Sequence, residues 1–173
     1  VKNFSYLTVS SALSQVISLL TVLKITSILV PADYGLYTFL MVQGTLLLTI
    51  GDLGTGNIII RSIARDHQRT NDLAFSASIL RIAALIFLSL LYVIYNATLG
   101  SLTGTEVMMV FAFSFINGLF KLFENIYLGY QKMLTPSLIG LIYSILWLST
   151  VYALPTEYIE VTALFSAFLL LNG

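Results

Sequence analysis

Long apolar runs separated by short polar interruptions make up most of the chain, and the run lengths decide what they build. A helix rises about 1.5 Å per residue, so about 20 apolar residues cross the hydrocarbon core of a bilayer. Residues 4–30, 35–60, 73–97, 107–129 and 133–154 are long enough, and 160–173 begins another such run. Turn-forming residues fill the gaps. Pro31-Ala32-Asp33 is read as stopping the first run, Leu99-Gly100-Ser101-Leu102-Thr103-Gly104 the third, Tyr130-Gln131-Lys132 the fourth and Pro155-Thr156-Glu157 the fifth. The most polar stretch, Arg61 to Asp72, follows the second run and reads as an aqueous loop. Such short connections make neighbouring helices antiparallel. The pattern predicts an all-α, polytopic membrane helix bundle of about six spans, with residues 1–173 as a single transmembrane domain.

The first run, at about 25 residues, exceeds the 7 to 15 of a signal peptide's apolar region and reads as a retained span. The last run stops while still apolar, at Leu171-Asn172-Gly173, so the chain is expected to be a fragment of a longer protein. Composition sharpens the picture: 58% of residues are hydrophobic and 9% charged, against about a quarter charged in ordinary soluble domains. The absence of cysteine excludes disulfides and thiol-bound metals. His67 stands alone in a polar stretch and reads as solvated, so neither a metal site nor a cofactor is expected.

Net charge is zero, but the charges are not evenly placed. Alternating the spans across the membrane puts Lys2, Arg61, Arg65, Arg69 and Lys132 on one face. Asp33, Glu106, Glu157 and Glu160 fall on the other, which has no Lys or Arg. Short loops rich in Lys and Arg stay cytoplasmic, so the N-terminus is expected inside.

Five ionisable residues fall within the expected spans: Lys24, Asp52, Arg81, Lys121 and Glu124. Charges near a helix centre cost about 2.5 to 3.5 kcal/mol each on insertion scales, so these five must face protein or water rather than lipid. Each lies on a polar stripe of its own helix. Ser10, Ser14, Thr21 and Lys24 share a face, as do Thr45, Thr49, Asp52 and Gly56; Ser78, Arg81, Tyr92 and Asn96; and Ser114, Asn117, Lys121 and Glu124. Asp52 precedes Arg61, Arg81 follows Asp72 and Lys121 precedes Tyr130 by the same nine residues, which puts all three about 13 Å below one surface. Asp52 and Arg81 are therefore expected to be neighbours. Two readings stay open. Asp52 with Arg81, and Lys121 with Glu124, can be neutralising pairs that hold the bundle together while Lys24 snorkels outward. Alternatively the five residues, with a net charge of plus one, line a hydrated cavity that receives an anionic group.

Gly51-Asp52-Leu53-Gly54-Thr55-Gly56 superficially resembles a dinucleotide loop, but its spacing is wrong and no strand precedes it; small residues for close helix packing explain it. Asn3-Phe4-Ser5 and Asn96-Ala97-Thr98 match the glycosylation sequon, a motif too common to carry weight. No paired nucleophile and base and no aspartate-rich magnesium motif is present, which disfavours an enzyme.

Val30-Pro31-Ala32-Asp33-Tyr34-Gly35-Leu36-Tyr37, Asp52-Leu53-Gly54, Arg61-Ser62-Ile63-Ala64-Arg65 and the basic Arg81 together resemble the polysaccharide (Wzx-like, O-antigen) flippases of the multidrug/oligosaccharidyl-lipid/polysaccharide exporter superfamily. Leu53 stands where many relatives carry an aromatic residue, and from Val107 onward the likeness is one of topology. The resemblance implies twelve to fourteen spans in two lobes, of which this chain is most of the N-terminal one. It implies a bacterial inner-membrane protein that flips a polyprenyl-pyrophosphate-linked oligosaccharide by alternating access. Its partners would be that anionic lipid-linked glycan, membrane lipids and the second lobe, with no nucleic acid. The competing readings are a drug antiporter or peptidoglycan-precursor flippase of the same superfamily, and a non-transporting membrane scaffold.

Overall fold

The computed structural model describes residues 2–66, 70–100, 102–153 and 161–172. His67, Arg69, Glu157 and Glu160, assigned to loops above, lie outside the described residues, as does the turn expected at 155–157. Seven α-helices form among the described residues: α1 (Lys2–Ile28), α2 (Pro31–Asp52), α3 (Thr55–Arg65), α4 (Thr70–Leu99), α5 (Gly104–Gly129), α6 (Leu134–Ala153) and α7 (Val161–Asn172). Five of them, α1, α2, α4, α5 and α6, are long and apolar enough to cross a membrane, and α7 contributes a shorter apolar helix. The protein is an all-α polytopic membrane bundle.

Side-chain placement agrees with a lipid solvent. Leu19, Phe87, Met108 and Phe123 point outward, while Thr21, Arg81, Ser114 and Asn125 are buried. A soluble monomer rarely exposes a contiguous apolar patch of more than a few hundred Å2. In hydrocarbon the arrangement is the expected one, because backbone and polar groups must find partners inside the protein.

Three expectations from the sequence are corrected. Pro31 does not close the first helix over 4–30; α1 ends at Ile28 and Pro31 opens α2. Proline has no N–H to donate, and the first turn of a helix needs none, so it fits that position. Asp33 in the same turn complements the positive end of the helix dipole. Secondly, the run 35–60 is two helices, broken after Asp52 by Leu53 and Gly54, which both take positive φ, 48° and 73°. Two successive left-handed residues cannot continue a right-handed helix, and only the glycine adopts that conformation without a Cβ penalty. Thirdly, the polar stretch 61–72 is largely helical: Arg61 to Arg65 complete α3 and Thr70 to Asp72 open α4. Helix α3 is amphipathic, with Thr55, Gly56, Ile59 and Ile63 buried while Arg61 and Arg65 are exposed, so its polarity marks one face rather than a loop.

The chain forms two compact units, Val1–Phe39 with Lys132–Gly173, and Leu40–Gln131, the boundary falling within α2. In the first, α1 packs along α6 and α6 against α7, over a core that includes Ile25, Leu29, Val151, Leu164 and Phe165. In the second, α3, α4 and α5 pack against one another, and Ile59, Ile63 and Leu122 form a buried cluster. Helix α5 starts on a capping box: the Thr103 N–H donates to Glu106 Oε2 (2.7 Å) and the Glu106 N–H to Thr103 Oγ1 (3.5 Å). This satisfies two of the backbone donors that every helix start leaves free.

Candidate functional site

Arg81 is the most deeply buried charged side chain of the bundle, 2% exposed in the middle of α4. A guanidinium always carries its charge, so it must be paired where water is excluded. The break in the second span supplies its partners. Because the chain turns at Leu53 and Gly54, the last residue of α2 and the first of α3, Asp52 and Thr55, both reach Arg81. The Arg81 Nη2 group forms an ion pair with Asp52 Oδ1 and donates to Thr55 Oγ1 at 3.2 Å. The Thr55 hydroxyl lies 2.7 Å from the Asp52 carbonyl oxygen and 3.3 Å from Asp52 Oδ1, tying the two sides of the break together. On the other side, Arg81 Nη1 donates to the Gly118 carbonyl of α5 at 3.0 Å. One guanidinium thus joins α2, α3, α4 and α5.

Small residues make that convergence possible. A Cβ on Gly118 would stand 2.9 Å from Leu85 Cδ1, and one on Gly56 would stand 2.6 Å from Asn125 Nδ2 and 3.4 Å from Asp52 Oδ2. Both glycines let helices approach closely, and a larger residue at either would have to push the end of a neighbouring side chain aside. A second polar tie joins α2 and α5, where Ser114 Oγ lies 3.0 Å from the Gly44 carbonyl oxygen and 2.8 Å from that of Val110. Arg81 Nε is buried without a hydrogen-bond partner.

Lys121 and Glu124 pair with each other along α5, Nζ to Oε2 2.7 Å, with Lys121 about half exposed. Lys24 belongs to the other unit. Its ammonium stands 5.1 Å from the centre of the Tyr152 ring, a cation–π contact between α1 and α6. It forms no ion pair with a carboxylate among the described residues. The structure therefore brings Asp52 to Arg81 and Glu124 to Lys121, and among the described residues Lys24 joins neither pair. Hydroxyls on the polar stripes turn back on their own helices: Thr21 to the Ile17 carbonyl (2.9 Å), Thr45 to Met41 (2.8 Å) and Thr49 to Thr45 (2.7 Å). They are satisfied without water, as hydroxyls in lipid are.

Residues 1–171 match the family described as polysaccharide biosynthesis protein. The chain belongs to this family. It is the family of Wzx-like flippases whose motifs the chain resembles. Family membership and the membrane bundle together give a multi-pass membrane protein with a polysaccharide-related transport role, in contact with membrane lipids and lipid-linked sugars. Neither the curated proteins nor the solved structures yield a match. Within this family's chain, sequence reasoning passed over Thr55 and Gly118. Thr55 sits in the Gly51-to-Gly56 string read as packing residues, and the one available signal was its place three residues after an intramembrane aspartate. Gly118 acts through its backbone carbonyl, which leaves no trace in side-chain pattern.

Proposed function

We propose that the chain is most of one lobe of a two-lobe transporter. This transporter moves a polyprenyl-pyrophosphate-linked oligosaccharide, an O-antigen or capsule/exopolysaccharide repeat unit, from the cytoplasmic to the outer leaflet of the bacterial inner membrane. The observation that carries this reading is the family match over residues 1–171 of a chain made of membrane-crossing helices. A pyrophosphate and its sugars need compensating cations on their way through hydrocarbon, and alternating access lets a site serve each leaflet in turn. Lys24 is the cation best suited to meet the anion, because among the described residues its ammonium rests on the Tyr152 ring and forms no ion pair with a carboxylate. Lys121, half exposed and held by Glu124, is the weaker candidate cation of residues 40–131. Arg81 and Asp52 hold the helices of their own unit together.

Lys24→Gln should lower glycan export about tenfold or more, the loss of one charge-assisted hydrogen bond of roughly 1.5 to 3 kcal/mol, with membrane insertion intact. Lys24→Arg should retain most of the export. Normal export by Lys24→Gln overturns the role of Lys24, and an unchanged leaflet distribution of the lipid-linked oligosaccharide in cells lacking the protein overturns the function itself. The basic residues place the N-terminus in the cytoplasm under this reading. A cysteine at Arg65 should label from the cytoplasmic side and one at Gly104 from the outside; labelling of both from one side excludes the orientation.

A further inference from the structure

An open groove of about 610 Å3 runs between the last turns of α4 and the first turns of α5, away from the Arg81 cluster. Its walls are almost wholly apolar, with Ile86, Val93, Val107, Met108 and Phe111 among them. One polar group stands out in this setting. Asn96 lines the groove and is nine-tenths buried, yet its Nδ2 has no hydrogen-bond partner. A buried amide donor without an acceptor is costly, and the apolar walls of the groove offer it none.

The depth of Asn96 narrows the choice of acceptor. It lies three residues before Leu99, the end of α4, so it sits about 5 Å below that end. Tyr92 and Tyr95 on the same turns belong to the aromatic level where bilayer core meets headgroups. Charge narrows it further. The lining contains no Lys or Arg, and at the mouth Glu106 is fixed against Thr103, beside the lining residues Gly104 and Val107. A phosphate would meet a carboxylate and no cation there, which argues against the headgroup of a polyprenyl phosphate, and a polyprenyl tail has no acceptor of its own. A neutral carbonyl at the boundary between headgroup and hydrocarbon meets both conditions. The volume is within the ~300–1,000 Å3 typical of small-molecule binding sites.

We propose that this groove binds one acyl chain of a membrane glycerolipid, whose ester carbonyl accepts a hydrogen bond from Asn96 Nδ2. The site is independent of the transported glycan. The test compares diester phosphatidylcholine with its diether analogue, which has the same headgroup and chains but no carbonyl. The full-length protein is reconstituted into vesicles of each, exchanged into detergent, and its retained lipids counted by native mass spectrometry. The wild type should retain the diester lipid about fivefold more than the diether, the worth of one neutral hydrogen bond. Asn96→Leu should remove that preference, and Val93→Trp, which fills the groove, should reduce retention of both lipids. The wild-type comparison stands by itself should a variant fail to fold. Equal retention of the two lipids by the wild type overturns the proposal. So does tighter retention of a polyprenyl phosphate that displaces the diester, or a lipid-free dimer that buries the groove against a second copy.

Discussion

In residues 40–131 the helices are joined by a buried guanidinium, a carboxylate, two hydroxyls and two helix carbonyls, whereas in residues 1–39 and 132–173 they meet through rings and aliphatic side chains. In that second group Tyr37 meets Phe165 edge-on at 6.3 Å, Trp147 meets Phe168 at 5.0 Å and Tyr143 meets Phe168 at 5.9 Å. Lipid tails are as apolar as leucine, so the hydrophobic effect does not drive helices together inside a bilayer; close packing and polar contacts must do it. The two units answer that requirement in different ways. In residues 40–131 the charges within the spans are held in pairs, Arg81 with Asp52 and Lys121 with Glu124. The aromatic unit leaves Lys24 resting on a ring, where its charge remains available.

The largest effect is expected where the comparison is most extreme. Arg81→Leu leaves the Asp52 carboxylate without its partner and Thr55 and Gly118 without their donor. Breaking a buried pair in this way costs about 3 to 5 kcal/mol, and the value should lie toward the lower end because Asp52 is about one-third exposed. Reversible unfolding in mixed micelles measures it. Adding Asp52→Leu should recover more than half of the loss, since replacing both members of a buried pair by apolar groups is often neutral. A single Arg81→Leu variant of full stability would mean that the polar unit is not held by its charges, and the contrast between the units would fail.

The apolar runs made the bundle legible, because no other solvent suits five helices of this hydropathy. Counting residues from the polar boundaries paired Asp52 with Arg81, as the structure does, although the count from Asp52 to Arg61 crossed the break at Leu53 and Gly54 and did not follow one helix. The break between α2 and α3 was not legible, although Gly54 lay in view. Its partner in the turn is Leu53, and a leucine at positive φ contradicts local preference. Such a conformation persists only because tertiary contacts such as the Asp52, Thr55 and Arg81 cluster enforce it. The capping box, by contrast, was visible as Thr103 followed three residues later by Glu106, a signal hidden by treating that stretch as a turn cluster. The unmet donor of Asn96 was invisible for a further reason: a polar stripe shows which face a side chain shares, not whether its atoms find partners.

The smaller effect belongs to the aromatic unit, and it tests how much ring contacts contribute to holding helices together in lipid. Phe168 is the natural choice, because it touches Tyr143, Trp147 and Phe165 at centroid distances of 5.9, 5.0 and 6.5 Å. Edge-on and tilted ring pairs contribute about 0.5 to 1.5 kcal/mol each beyond the area they bury. Phe168 is only partly buried, so in Phe168→Ala a lipid chain can occupy the vacated space and no sealed cavity remains to add its own penalty. With three pairs at the low end of that range the loss should be about 1.5 to 2.5 kcal/mol, below that of Arg81→Leu. Trp147 is the chain's one tryptophan, so its emission reports the same contact directly. It should change in Phe168→Ala and stay unchanged in Arg81→Leu at denaturant concentrations where both variants are folded. A cost equal to that of Arg81→Leu would show that ring packing binds this unit as firmly as charge binds the other. Phe168→Leu would then decide the cause: it keeps apolar bulk but loses the ring, so full stability assigns the cost to lost volume and a persisting deficit assigns it to ring geometry.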